Sequence, residues 1–79
     1  MKKQQKFYQI QIKFLRLDLD DGYLYVTYYR IPTKYRTKAL TKAIKLFQKQ
    51  TKHKKFMLVT AEIDKEINYD LKQYHHRTR

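Results

Sequence analysis

The chain reads as a small α+β domain of order β-β-α-β-α. Three observations carry this reading. Two strand-like runs flank the turn-forming "DDG" at Asp20–Gly22; a single long amphipathic segment follows the only proline; and a four-residue apolar run opens "FMLVTAEI" near the C-terminus. At 79 residues the chain is one domain, 1–79, in which only about 60–65% of the unfolded surface can be buried. Residues 1–5 and 75–79 read as loose polar ends.

The first strand is expected over Phe7–Leu19 and the second over Tyr23–Ile31, joined as a hairpin. A three-residue loop with Gly22 in the left-handed position suits the sequence. It places Ile10, Ile12, Phe14, Leu24, Val26 and Tyr28 on one face. Gln9, Gln11, Lys13, Leu15 and Leu17 then share the other with Tyr23, Tyr25, Tyr29 and Ile31. Pro32 ends the second strand, and Thr33 or Thr37 can cap the helix that follows, which runs to about Thr51. Ala39, Leu40, Ala43, Ile44 and Phe47 recur at i, i+3, i+4 and form its buried stripe.

The third strand is expected over Phe56–Ile63. A right-handed crossover places it parallel to the second strand, across the first. Asp64 can then cap a short second helix with Glu66 in its first turn and Ile67, Leu71 and Tyr74 along one edge. The sheet is thus three-stranded and mainly antiparallel, with the long helix on the face carrying Ile10, Ile12, Phe14, Val26 and Tyr28.

Nineteen Lys and Arg against seven Asp and Glu give a net charge of +12. Concentrating such charge in a fold is unfavourable, and an anionic partner, most commonly nucleic acid, relieves it. The charge is not spread evenly. Lys38 to Lys55 contains seven lysines and no acid. At about 100° per residue, Lys34, Lys38, Lys42, Lys45, Lys49 and Lys52 fall within a sector of roughly 80°, opposite the apolar stripe. Like charges at i,i+4 each cost a few tenths of a kcal/mol, roughly, and ordinary surface helices mix signs. A lysine ammonium is a point charge without arginine's fork, so the stripe suits backbone phosphates rather than base edges. Lys54 and Lys55 extend it, and Arg77 and Arg79 add cations on the tail.

The function expected is therefore a small, non-catalytic, basic nucleic-acid-binding protein, acting on DNA or RNA. The alternative is a protein-interaction or inhibitor module that docks the same lysines on an acidic protein surface; composition of this kind also suits a phage or mobile-element accessory protein. A second surface, Tyr23, Tyr25 and Tyr29 with Gln9, Gln11 and Lys13, suits either base stacking or a homodimer interface.

Other chemistry finds little support. There is no cysteine, hence no disulfide or thiolate-bound zinc, and His53, His75 and His76 lack ligand spacing. Asp18, Asp20 and Asp21 stand near a calcium-loop spacing, but Tyr29 occupies the place of the bidentate carboxylate. Glu62, Asp64, Glu66 and Asp70 have no nucleophile or glycine-rich phosphate loop beside them. No enzyme and no cofactor is expected. No apolar run approaches the roughly 18 residues of a membrane span, and the N-terminus lacks an apolar signal core, so the expected location is the cytoplasm.

Overall fold

The computed structural model describes residues 4–70, with side chains described for residues 6–68. Four elements follow in order: strand β1 (Gln4–Arg16), strand β2 (Leu24–Pro32), helix α1 (Arg36–Gln50) and strand β3 (Phe56–Asp70). The sheet order is β2-β1-β3, with both pairings antiparallel. The edge strands β2 and β3 therefore run parallel to each other across β1, as the crossover argument requires. Helix α1 links them and lies on one face of the sheet, touching all three strands.

The hairpin register differs from expectation. Leu15 lies opposite Leu24, Lys13 opposite Val26 and Ile10 opposite Tyr29, so the connection spans residues 17–23 rather than three residues. Gly22 does adopt a positive φ of 74°, and Asp20 joins it at 51°. Local chemistry at the tip explains the longer loop. Arg16 forks onto Asp18, with Nη2 to Oδ2 at 2.6 Å, and the amides of Leu19 and Asp20 both donate to the Arg16 carbonyl. Asp21 Oδ1 accepts from the Tyr23 amide at 3.0 Å. These bonds stop the ladder at Arg16, although Leu17 and Leu19 continue the apolar alternation.

Any odd slip exchanges the two faces of a strand, and the observed pairing is displaced by three residues from the expected one. Tyr25, Thr27, Tyr29 and Ile31 of β2 consequently join Tyr8, Ile10, Ile12 and Phe14 of β1 under the helix. Leu24, Val26 and Tyr28 turn to the open face, correcting the expected grouping. The core comprises Tyr8, Ile10, Ile12, Phe14, Ile31, Ala39, Ala43 and Phe47. The two helical alanines admit the backbone close to the sheet, and Phe47 fills the space at the far end. Phe14 is the centre of an aromatic cluster, with ring centroids 5.1 Å from Phe56, 5.1 Å from Phe47 and 5.8 Å from Tyr25. Each such pair contributes about 0.5–1.5 kcal/mol beyond its area. This cluster favours the observed register, because it needs Tyr25 on the helix side.

Helix α1 starts one residue after Tyr35, which has extended backbone and makes no side-chain cap. Neither threonine fills the expected capping role: Thr33 Oγ1 accepts from the Tyr35 amide, and Thr37 lies inside the helix. The apolar stripe is as expected, with Ala39, Ala43 and Phe47 buried and Leu40 and Ile44 half-buried. The helix closes at Thr51, whose amide and hydroxyl both donate to the Phe47 carbonyl.

Strand β3 runs on past Ile63 to Asp70. The part of the expected second helix within the described residues is therefore strand, and Leu71 and Tyr74 lie outside them. The reason is tertiary: β1 extends back to Gln4 and its first half needs a partner, which residues 65–70 supply. The β1–β3 register shifts between Gln9 and Ile10 and again between Lys13 and Phe14. These irregularities absorb a change of phase, so that Leu58, Ala61 and Ile63 all reach the core. Lys6 and Glu66 close that end with an ion pair of 3.0 Å.

Candidate nucleic-acid interface

The lysine segment folds as its spacing predicts. Lys38, Lys42, Lys45 and Lys49 lie within α1, Lys34 just before it, and Lys52, Lys54 and Lys55 in the turn after it; all eight are exposed. None of the eight pairs with a carboxylate; among the described residues the ion pairs are Lys6–Glu66 and Arg16–Asp18. Two of the eight lie over aromatic rings, Lys38 at 5.1 Å from Tyr35 and Lys54 at 5.5 Å from Phe56. The helix has no acid in its first turn, so nothing local offsets the stripe. Along it runs a shallow depression of about 280 Å³ lined by Thr37, Lys38, Thr41, Lys42 and Lys45. Thr41 spends its hydroxyl on the Thr37 carbonyl at 3.0 Å, leaving the three ammonium groups and the Thr37 hydroxyl as side-chain donors there.

A second depression, about 480 Å³, lies where the stripe ends, lined by Arg16, Leu17, Asp18, His53, Lys54, Lys55 and Phe56. The Leu17 amide donates to the Lys55 carbonyl at 2.7 Å and fixes the β1 end against the α1–β3 turn. Arg16 sits 5.0 Å from the Phe56 ring and 5.8 Å from the Tyr25 ring. Its bond to Asp18 holds the guanidinium charged above its ordinary range and draws the Asp18 carboxyl below its own. Arg16 was not singled out by sequence reasoning. Its signal was weak: only the β1–β3 pairing, which places Arg16 opposite Phe56, brings it beside the basic turn.

The expected tyrosine surface is not one surface. Tyr23 lies on the tip loop, 69% exposed. Tyr25 and Tyr29 lie on the helix side, where Tyr25 donates to Asp21 Oδ2 at 2.5 Å and Tyr29 to Gln50 Oε1 at 2.6 Å. The Asp21 bond raises the Tyr25 phenol above its usual range, and burial does the same for Tyr29. Gln9, Gln11 and Lys13 face the opposite way, on the open sheet face. There Arg30 Nε donates to Gln9 Oε1 at 3.1 Å, Gln9 Nε2 donates to Asp64 Oδ2 at 2.8 Å, and Gln11 Nε2 donates to the Tyr28 hydroxyl at 3.2 Å. Tyr25 and Tyr29 of the expected base-stacking surface are thus engaged on the helix side of the sheet.

Among the described residues no His, Cys, Asp or Glu side chains are grouped to hold a metal ion, and no helix is long and apolar enough to cross a membrane. His75, His76, Arg77 and Arg79 lie outside the described residues. The chain matches no protein-family model, no curated protein and no solved structure.

Proposed function

We propose that this chain is a small, non-catalytic nucleic-acid-binding protein that holds the phosphate backbone with the outer face of α1. The carrying observation is the exposed, acid-free row of Lys38, Lys42, Lys45 and Lys49 on a helix whose opposite face is committed to the core. A rigid row of point charges, repeated each helical turn, engages phosphates without reading base edges. Lys34, Lys52, Lys54 and Lys55 extend the row at both ends. The basic depression beside Arg16 adds a second anion-attracting patch contiguous with it.

Fluorescence anisotropy with single- and double-stranded DNA and RNA, each at two salt concentrations, tests this. If the six lysines of the stripe contact duplex phosphates, log K falls against log salt with a slope near −5, roughly. Reversing Lys42 and Lys45 to Glu weakens binding to every probe and reduces that slope by about 2. Both side chains are exposed and outside the core, so the variant keeps its fold. Unchanged affinity in the double variant overturns the reading. Absence of binding to all probes also overturns it, and turns attention to an acidic protein surface as the stripe's partner.

A further inference from the structure

We propose that the open face of the sheet is a homodimer interface, in which two copies pack face to face about a two-fold axis parallel to β1 and present their lysine helices outward.

The face opposite α1 has no covering layer among the described residues, yet it is not built like a solvated surface. At its tip-proximal end Leu24, Val26, Met57 and Val59 are each 45–49% exposed. Leu15 lies between Leu24 and Met57 in the pairing of all three strands. The centre of the face is polar but largely paired within the protomer: the chain Arg30 to Gln9 to Asp64 crosses all three strands, and Gln11 is tied to Tyr28. Groups already hydrogen-bonded lose little when water is removed. The register also places Lys13, Arg30 and Lys65 on this face with Glu62 and Asp64. Three cations against two carboxylates leave +1 there, in a chain of +12.

That balance selects the occupant. Nucleic acid would meet two carboxylates here and, among the described side chains, a single tyrosine, Tyr28. A second copy is repelled by the helix side but meets less repulsion here. The sheet order β2-β1-β3 is suited to self-pairing: a two-fold along the central strand lays β2 over the partner's β3. Leu24 then meets the partner's Met57, Val26 the partner's Thr60, and Arg30 the partner's Lys65, a like-charge approach that, as at Lys13, weakens the pairing. Tyr28 falls opposite the partner's Glu62, a donor facing an acceptor. Lys13 lies nearest the axis, where it faces its own copy, and this like-charge approach limits affinity. Three strands at about 4.8 Å spacing and roughly nine residues at 3.3 Å give a flat footprint of roughly 430 Å² per protomer. With side-chain relief this reaches the low end of specific interfaces, so the dimer is of micromolar rather than nanomolar strength. Edge-to-edge association through β3 is less suited, because the two register shifts interrupt that strand.

Face-packed sheets lie about 10 Å apart, so the two helices occupy opposite outer surfaces. On the nucleic-acid reading, and resting on it, such a dimer holds two separate segments at once and bridges them.

Sedimentation equilibrium from low to high micromolar protein decides the matter. The wild type is expected to approach twice the 9.9 kDa chain mass. Leu24→Glu together with Met57→Glu, both at exposed positions, should weaken association at least tenfold with unchanged circular dichroism. Lys13→Gln should tighten it several-fold, a gain that partial unfolding does not mimic. A wild type that stays at the chain mass at the highest concentration overturns the proposal, as does a double variant that dimerises like the wild type. These readings are independent of nucleic acid: a dimer that binds no probe refutes the backbone-binding function and leaves the interface standing. A lysine stripe that binds probes as a monomer does the reverse.

Discussion

Three carboxylates in this chain are held in their charged form by specific neighbours. Asp18 takes the fork of Arg16, Asp21 accepts from Tyr25 and the Tyr23 amide, and Glu66 faces Lys6 and Asn68. Each is drawn below the usual carboxylate range, chiefly by those hydrogen bonds. A depressed folded-state value means a contribution to stability that is complete above the ordinary carboxylate range and lost as pH falls through the depressed value. Urea unfolding should accordingly show a falling midpoint between about pH 5 and pH 2. Asp21→Asn should flatten part of that fall, whereas an unchanged pH profile in this variant would show that Asp21 contributes no linkage. All three groups are solvent-facing, so each effect is small. The spacing of Asp18, Asp20 and Asp21 in the sequence suggested turn chemistry, and that much was legible. Their partners were not, because Arg16 and Tyr25 lie two and four residues away and reach Asp18 and Asp21 only in the particular conformation of the seven-residue tip.

At the scale of elements, α1 is the part whose design is clearest and whose start is weakest. Its apolar and basic stripes follow from a local period of 3.6, so both were readable before any tertiary information. Its N-terminus, by contrast, carries Tyr35 at the cap, Arg36 and Lys38 in the first turn and no acid. Cations there oppose the helix dipole, and the orphan amides lack a side-chain acceptor. Replacing the 58% exposed Tyr35 by Asp should stabilise the fold by about 1 kcal/mol, and each kcal/mol raises the melting temperature by roughly 4–8 °C in a domain of this size. Loss of the Tyr35–Lys38 contact subtracts a fraction of that gain. A melting temperature that does not rise would show that the Thr33–Tyr35 turn already satisfies this end. The strands were less legible than the helix. For β1 and β2 the alternation located the runs to within three residues at each end, but it could not choose among loop lengths. In β3, "DKEINYD" carries helix-compatible charges and an apolar period that fits either element; only the edge of β1 opposite β2, open along its first half, selects strand.

For the whole molecule, the thinness of the fold and its charge act together. The described residues form one sheet and one helix with a core between them, within dimensions of 51 × 26 × 19 Å. Into that frame the sequence puts +12, most densely along the helix. Screening reaches about 30 Å in 0.01 M salt and about 10 Å in 0.1 M. Self-repulsion therefore spans much of the molecule at low ionic strength and little of it at moderate ionic strength. Thermal stability should rise between those two conditions; on the proposed backbone-binding reading, affinity for nucleic acid should fall. Opposite signs for the two salt dependences, measured on the same samples, separate repulsion within the fold from attraction to phosphate. A melting temperature that falls with added salt would mean that attractive pairs such as Lys6–Glu66 outweigh the lysine stripe.

The sequence by itself determined the class of the fold, the strand order through the crossover rule, the helix and its two faces, and the surface of unrelieved positive charge. Each of these follows from local periodicity, composition or chain connectivity. Only the tertiary structure decided which side of β2 faces the helix, where β3 ends, and that Gln9, Arg30 and Asp64 form one chain on the uncovered face. Those outcomes depend on pairing between distant segments, where a shift of one residue exchanges the buried and exposed sets. The packing of Phe14 against Tyr25, Phe47 and Phe56 favours one register over the other.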